Sequence, residues 1–158
     1  MDQHKKKYIT REEALKKLQR YCAYQDRCHQ EVRSKLLDLG IYHDDLEEII
    51  VELIQDNFLN EERYARSFAR GKFRIKSWGR NRITQELKKR KVSAYCIKKA
   101  MEEIEETDYL EKLETLLLKR SAQIKEPDPW KKRTKLAQFA IRKGFESQLV
   151  FDTIKALE

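Results

Sequence analysis

The sequence is poor in the residues that make turns, with only 4 Gly and 2 Pro among its 158 residues. A β-sandwich or a β-barrel needs a turn about every 8–12 residues, so this composition excludes such folds. Charged residues make up 39% of the chain, and Lys, Glu, Leu, Arg and Ala dominate, as is typical of long amphipathic helices. The composition therefore predicts an all-α fold.

Long apolar segments and paired cysteines are also missing. No apolar run approaches the roughly 18 residues of a membrane span, and the basic start at residues 1–8 has no apolar stretch behind it, so we expect neither a membrane segment nor a signal peptide. The three cysteines, Cys22, Cys28 and Cys96, are an odd number, which argues for a reducing cytoplasm. We expect a cytoplasmic protein in which Cys22 and Cys96 are small buried residues.

The sequence also lacks the patterns of known catalytic sites. It has no phosphate-binding loop of the G-x-x-x-x-G-K-[ST] type and no G-x-S-x-G motif. His4, His29 and His43 are scattered, and the spacing of Cys22, Cys28 and His29 matches no standard zinc site. We therefore predict that the protein is not an enzyme and holds no metal and no cofactor.

An internal repeat of six apolar positions runs through the chain. Its three copies are Val32, Leu36, Ile41, Leu46, Ile50, Leu53; Ile83, Leu87, Val92, Ile97, Met101, Ile104; and Leu136, Ala140, Phe145, Val150, Ile154, Leu157. A seventh position, just before the third apolar one, holds Gly40, Lys91 and Gly144. Glycine there is typical of a helix end in the left-handed conformation, so each copy predicts two helices joined by a sharp turn.

Helix-start signals predict one more helix in front of each pair. Thr10, Asn60 and Thr107 precede the three leading helices, and Asp128 followed by Pro129 marks a further start in the third copy. Units of about 50 residues bury too little surface to be robust alone, so we expect three helix-turn-helix-like repeats stacked into an elongated, curved body. The predicted units are an N-terminal tail at 1–9 and three-helix repeats at 10–58, 59–106 and 107–158.

The net charge of +8 is distributed very unevenly. Residues 38–62 contain nine acids and no Lys or Arg, whereas residues 63–99 contain fourteen Lys or Arg and a single acid, Glu86. The second segment therefore carries +13 and the rest of the chain −5. Such a basic block is typical of a surface that meets phosphate or an acidic protein. The acidic stretch either meets a basic partner surface or pairs with the basic block itself.

Basic residues of the central repeat fall on one predicted helix face. Arg63, Arg66, Arg70 and Arg74 are spaced 3, 4 and 4 residues apart, which predicts a continuous row of guanidinium groups suited to bidentate contact with phosphate or carboxylate. Trp78 is predicted to be a packing anchor. The candidate binding residues are Arg63, Arg66, Arg70, Lys72, Arg74, Lys76, Arg80, Arg82, Lys88 and Lys89.

Three segments of this region resemble the central motif of the RecX family in order and spacing: FLNEERYARSFAR at 58–70, WGRNRI at 78–83 and ELKKRKV at 86–92. The threefold repeat extends the resemblance, more loosely, over nearly the whole chain. The resemblance implies a bacterial regulator of the RecA recombinase in recombination and DNA repair. Such a protein binds the RecA filament on single-stranded DNA and limits filament extension, strand exchange and ATPase activity. We expect that filament as partner, DNA itself as a further ligand, and a monomer.

The chain departs from the family pattern at three positions. It has Asn60 where the family usually has an acidic residue, Arg80 where it usually has proline, and Lys91 where it usually has glycine. A lysine in the left-handed region costs about 1–2 kcal/mol, so we expect the helix end at Lys91 to be rearranged.

Two other functions fit the same residues. The first is a sequence-specific helix-turn-helix regulator with residues 82–91 in a major groove, where Asn81 and Gln85 are the side chains suited to reading bases. The second is a helical-repeat adaptor that binds protein only. An adaptor predicts no salt-sensitive affinity for single-stranded DNA, whereas phosphate contacts predict a steep loss of affinity with salt.

Overall fold

The structure, a computed structural model, describes residues 8–158, and within them it contains nine helices and no strand. The all-α prediction is therefore confirmed. The helices are α1 (Arg11–Tyr24), α2 (His29–Asp38), α3 (His43–Gln55), α4 (Glu61–Lys76), α5 (Arg80–Lys89), α6 (Ala94–Met101), α7 (Glu106–Gln123), α8 (Pro129–Arg142) and α9 (Ser147–Ala156). None of these helices has the length and apolarity needed to cross a bilayer. Most of the predicted tail, and His4 with it, lies outside the described residues.

Side-chain caps fix the start of several helices. Thr10, Asn60 and Asp128 each accept a hydrogen bond from a backbone N–H of the following helix, at 3.2, 2.9 and 2.9 Å. These bonds satisfy donors that the first turn of a helix leaves free, and they confirm three of the predicted starts. The start predicted after Thr107 is wrong, because the chain is already helical one residue earlier.

The second helix of each repeat ends in the same turn. Gly40, Lys91 and Gly144 all have positive φ, at +82°, +58° and +105°. The following residue donates its N–H to the carbonyl five positions back in all three turns, from Ile41 to Leu36, Val92 to Leu87 and Phe145 to Ala140, at 2.9, 3.1 and 3.2 Å. This is the hydrogen bond of a Schellman turn, so the periodicity of the sequence is also a periodicity of the backbone.

The expected rearrangement at Lys91 is wrong. Lys91 adopts the left-handed conformation and donates its N–H to the carbonyl of Lys88 at 2.9 Å, as glycine does in the other two repeats. The turn delivers Val92 into the core, where the side chain is only 6% exposed. Burying a valine stabilises by about 1.5–3 kcal/mol, which offsets the backbone strain of about 1–2 kcal/mol.

Two apolar clusters form the core. The first is formed mainly by α1–α3 and includes Leu18, Val32 and Leu53, together with Leu59 from the start of the second repeat. The second runs through α4–α9, so the second and third repeats share one core, as expected from stacking. Among the buried residues described in the first repeat, Cys28 alone belongs to this second cluster. The first repeat therefore has a core of its own. It shares less apolar surface with the second repeat than the second repeat shares with the third.

The second and third repeats meet backbone to backbone. The α4–α5 turn packs on the α8–α9 turn, where the N–H of Gly79 donates to the carbonyl of Lys143 at 2.8 Å and the N–H of Asn81 donates to the carbonyl of Gly144 at 2.9 Å. A Cβ on Gly79 would lie 2.3 Å from the carbonyl carbon of Gly144. Only glycine permits this approach, because the neighbouring atoms belong to the backbone and cannot rotate away.

We predict that Gly79→Ala destabilises the protein by about 1–3 kcal/mol, the usual cost of overpacking a filled site. Gly71→Ala is the matched control, since nothing lies within 4 Å of a Cβ at this position inside α4. That change should stabilise by about 0.5–1 kcal/mol, because alanine has the higher helix propensity. Urea unfolding followed by circular dichroism measures both. Equal effects of the two substitutions would contradict the close contact.

Relief of strain at Lys91 gives a second prediction. Lys91→Gly should raise the free energy of unfolding by about 1 kcal/mol, because glycine adopts positive φ without a steric penalty. Lys91→Ala removes the same charge but keeps a Cβ, and it should give no such gain. Chemical denaturation of the three proteins at one pH separates the two causes. A gain shared by the alanine variant would assign the effect to charge instead of backbone conformation.

Candidate nucleic-acid interface

The first three arginines of the row on α4 form ion pairs. Nε of Arg63 lies 2.6 Å from a carboxylate oxygen of Asp26, which precedes α2. Arg66 and Arg70 share the carboxylate of Glu103, just after α6, at 3.0 and 3.1 Å. The predicted row is therefore not open to a ligand at its first three members, because carboxylates distant in sequence already contact them.

These pairs explain how α4 tolerates arginines one turn apart. Like charges at that spacing destabilise a helix by a few tenths of a kcal/mol per pair, roughly, and a shared carboxylate removes the repulsion. Hydrogen bonds from Arg66 and then Arg70 hold the pKa of Glu103 below its ordinary value. The first half of the row thus joins α4 to the end of α6.

Arg80 is neutralised between the second and third repeats. Its guanidinium group lies 3.9 Å from the ring centre of Tyr109, 3.0 Å from the carboxylate of Glu146, and against that of Glu106. The hydroxyl of Tyr109 accepts the backbone N–H of Arg80 at 3.1 Å and donates to Glu146. Burial raises the pKa of Tyr109, so the hydroxyl keeps the proton that it donates. Proline, which the family resemblance suggests at position 80, has no N–H to give to Tyr109.

Further along α5, Lys89 also has a partner. Its ammonium group lies 3.2 Å from Glu86, whose carboxylate is 2.9 Å from Arg90 as well. The remaining five candidates have no carboxylate within 4.0 Å in the described part of the chain: Lys72, Arg74, Lys76, Arg82 and Lys88. Four of them lie in the last turns of α4 or the first turn of α5.

Two further cations, which the sequence did not indicate, contact the C-terminal end of α4. Nζ of Lys112 donates to the carbonyl of Arg74 at 3.2 Å, and Nζ of Lys143 donates to the carbonyl of Lys76 at 2.7 Å. Both contacts are favourable because the last carbonyls of a helix carry its negative dipole end. The two lysines are 38 and 67 residues from their acceptors, so no local pattern could have revealed them.

Trp78 organises the cations around it. The guanidinium carbon of Arg82 lies 4.3 Å and Nζ of Lys72 lies 5.1 Å from the centre of the indole ring. The half-buried ring also packs edge-on against Phe68, with ring centres 6.3 Å apart, which confirms the predicted packing role. We call Lys72, Lys76, Trp78, Arg82 and Lys143 the Trp78 cluster.

Lys143 is partly buried and lies close to two other cations of this cluster. Burial, followed by the charges of Arg82 and Lys76, lowers its pKa. Clustered cations without carboxylates attract anions, and arginine beside lysines suits phosphate in particular. The Trp78 cluster can therefore bind a phosphate group.

The acidic stretch at 38–62 pairs mainly within the first repeat. Glu47 is 2.6 Å from Arg33, and Arg11 contacts Glu48 at 3.3 Å. Hydrogen bonding to Arg33 lowers the pKa of Glu47. At the end of the stretch, Glu62 forms an ion pair with Arg66 of the basic block at 3.9 Å. The acidic stretch thus leaves the Trp78 cluster open.

The cysteines and the potential metal ligands of the described residues are scattered through the fold. Residues 8–158 contain no group of three or more His, Cys, Asp or Glu placed to hold a metal ion. All three cysteines are buried and unpaired, as predicted for Cys22 and Cys96. Burial raises the pKa of Cys22 to about 11, so this sulfur is a protonated thiol and a poor nucleophile at neutral pH.

Comparison with known proteins identifies the family. Two family models match, described as the second three-helix domain of RecX at residues 60–101 and the third at residues 106–154. Together they cover more than half of the chain. The chain belongs to the RecX family. The two matches include every member of the Trp78 cluster, which is therefore contained in the RecX domains themselves.

Several RecX relatives resemble the chain over most of its length. The protein named regulatory protein RecX of Streptococcus uberis is 30% identical over 131 residues, which are 82% of this chain and 50% of that protein. The chain thus spans about half the length of this relative. The regulatory protein RecX of Prosthecochloris aestuarii is 27% identical over 144 residues, covering 91% of this chain and 93% of that protein.

Solved RecX structures share the fold. The crystal structure of RecX from Lactobacillus salivarius superposes with a TM-score of 0.84 at 26% identity, over 93% of this chain and 96% of that one. A second crystal structure of regulatory protein RecX gives a TM-score of 0.83 at 23% identity, over 92% of this chain and 71% of that one. The stacked three-helix arrangement is therefore that of the RecX family.

We predict that Glu103→Gln lowers the free energy of unfolding near neutral pH, because Arg66 and Arg70 lose their shared partner. The folded-state pKa of Glu103 is lowered, so its stabilisation is present above the unfolded pKa of about 4.3 and is lost as pH falls through the folded value. The unfolding curves of the two proteins should converge in acid. Glu114→Gln, an exposed change on α7, is the control, and a gap independent of pH would contradict the pairing.

Proposed function

We propose that the protein regulates the RecA recombinase by binding the RecA filament on single-stranded DNA, and that it thereby limits filament extension, strand exchange and ATPase activity. Membership of the RecX family and the names of its relatives support a regulatory role. The Trp78 cluster is the observation that carries the proposal, because it presents four cations, without a carboxylate within 4.0 Å in the described chain, at a rigid junction between two repeats. On this proposal the protein acts in the cytoplasm as a monomer.

Phosphate contacts explain how a helical protein recognises such a filament. Each neutralised phosphate releases bound counterions, so affinity rises with the number of contacts and falls with salt. The Trp78 cluster supplies these contacts from the second and third repeats. The acidic first repeat is left to face protein surface of the filament, which fits its separate core and opposite charge. A body bound in this way obstructs both the addition of RecA subunits and the approach of a second DNA strand.

The test neutralises the open cations and leaves the paired ones intact. Lys72→Gln, Lys76→Gln and Arg82→Gln together should weaken inhibition of the DNA-dependent ATPase of RecA by about a hundredfold near 0.1 M salt, the loss expected from three phosphate contacts. The control combines Lys16→Gln, Lys17→Gln and Arg20→Gln, which remove the same charge from the exposed side of α1. It should inhibit like the unmodified protein.

Circular dichroism should give the same helicity for both variants, because none of the substituted residues lies in a core cluster. If the Lys72, Lys76 and Arg82 variant is folded and inhibits as strongly as the unmodified protein, the proposed role of these cations is wrong. Loss of inhibition in both variants would instead point to net charge as the cause.

The two alternative functions predict different binding behaviour for this protein. A sequence-specific regulator would use the exposed Asn81 and Gln85 of α5 and would bind one duplex sequence in the presence of excess competitor DNA. A protein-only adaptor would bind RecA without any salt-sensitive affinity for single-stranded DNA. The RecA proposal expects salt-sensitive binding to single-stranded DNA without preference for one sequence.

A further inference from the structure

We infer that the Trp78 cluster is a phosphodiester-binding site built jointly by two repeats, with Lys72, Lys76 and Arg82 from the second and Lys143 from the third. Single-stranded nucleic acid is its ligand. This inference deepens the proposed function and rests on it. It replaces the arginine row predicted on α4 with a site that includes Lys143, on the α8–α9 turn.

The backbone contact between the two turns places Lys143 beside Arg82. The carbonyl of Lys143 accepts the N–H of Gly79 at 2.8 Å, and a Cβ on Gly144 would lie only 2.4 Å from the Cβ of Arg82. At these distances the backbone segments of Lys143 and Arg82 adjoin each other, so their side chains start from neighbouring points. Lys143 is therefore positioned by the docking of the repeats and not by a flexible loop.

One hydrogen bond orients the ammonium group of Lys143 and leaves its other donors free. It donates one hydrogen bond, to the carbonyl of Lys76 at 2.7 Å, and an ammonium group has three donors. Two donors remain for the oxygens of a phosphate. The guanidinium group of Arg82 adds a planar pair of donors next to them, which is the geometry that phosphate accepts best.

Arg80 lies at the same junction, but carboxylates neutralise its charge. Two residues before Arg82, Arg80 has two carboxylates and the face of Tyr109 as partners. Lys143 and Arg82 lie at the same junction but have no carboxylate within 4.0 Å among residues 8–158. The contrast indicates that the positive charge of the Trp78 cluster is left for an external anion.

Trp78 acts as a positioning residue in this site. With Arg82 at 4.3 Å and Lys72 at 5.1 Å from the ring centre, the indole ring holds two cations in place and reduces the entropy lost when they bind phosphate. The exposed cations Lys88 and Lys91 lie further along the chain, on α5 and just after it. A ligand with several linked phosphates can reach cations in and beyond the Trp78 cluster, whereas a single free anion would occupy the cluster alone.

The test uses the full chain and a fluorescein-labelled oligothymidine, without RecA. Lys143→Gln should weaken binding about fivefold near 0.1 M salt and reduce the slope of log affinity against log salt by about 0.7, the value for one phosphate contact with a single strand. Lys143→Arg keeps the charge and should restore both. Lys155→Gln, an exposed change on α9 of the same repeat, should change neither.

Trp78 also serves as the spectroscopic reporter. Trp130, the only other tryptophan, is 70% exposed at the start of α8, so Trp130→Phe leaves a single indole inside the site. Oligothymidine should change its emission, and the same titration in a Lys143→Gln background should require more ligand. In the site, Trp78→Leu should weaken binding by about threefold through loss of the cation–π contacts, whereas Trp78→Phe should retain most of the affinity.

The outcomes separate this inference from the proposed function. An unchanged salt slope for Lys143→Gln, together with unchanged Trp78 emission, would overturn the phosphodiester site even if RecA inhibition persisted. An effect of Lys143→Gln on binding to RecA alone, and none on oligothymidine, would make the ligand an acidic protein surface and would also overturn it. If oligothymidine binding falls as expected while RecA inhibition is unchanged, the site stands and the link to RecA is wrong.

Discussion

The contact between the α4–α5 turn and the α8–α9 turn is the constraint on which the rest of this molecule depends. Because neither Gly79 nor Gly144 has a side chain, the two turns approach until the N–H groups of Gly79 and Asn81 donate to the carbonyls of Lys143 and Gly144. This approach closes one apolar core over the second and third repeats. It also sets two arginines of the same helix, Arg80 and Arg82, in opposite electrostatic surroundings at one junction.

Charge in the RecX repeats therefore has two separate uses. Arg63, Arg66 and Arg70 face carboxylates from the connections next to α2 and α6, and there the positive charge holds α4 against these segments. Around Trp78 the cations meet carbonyl oxygens and an aromatic ring instead, which orient them without cancelling their charge. A basic segment in a sequence thus says how many cations are present, but not how many of them are available to a ligand.

The three equivalent turns keep one backbone conformation, although the second has lysine where the other two have glycine. The positive φ of Gly40, Lys91 and Gly144 belongs to the repeat and not to glycine alone. Lysine accepts the strain because the turn must deliver Val92 into the core. The departure also leaves an exposed lysine at the end of α5.

The sequence by itself determined the helical class, the threefold period and most helix ends, because apolar spacing and caps such as Thr10 and Asn60 act within one or two turns of chain. It also located the basic block, since charge is a property of composition. Only the tertiary structure decided which cations stay open. Glu103 neutralises Arg66 across 37 residues, and Lys143 reaches Lys76 across 67. The first pairing depends on how helices pack within the second repeat and the second on how the second and third repeats dock, and neither leaves a periodic signal in a single sequence.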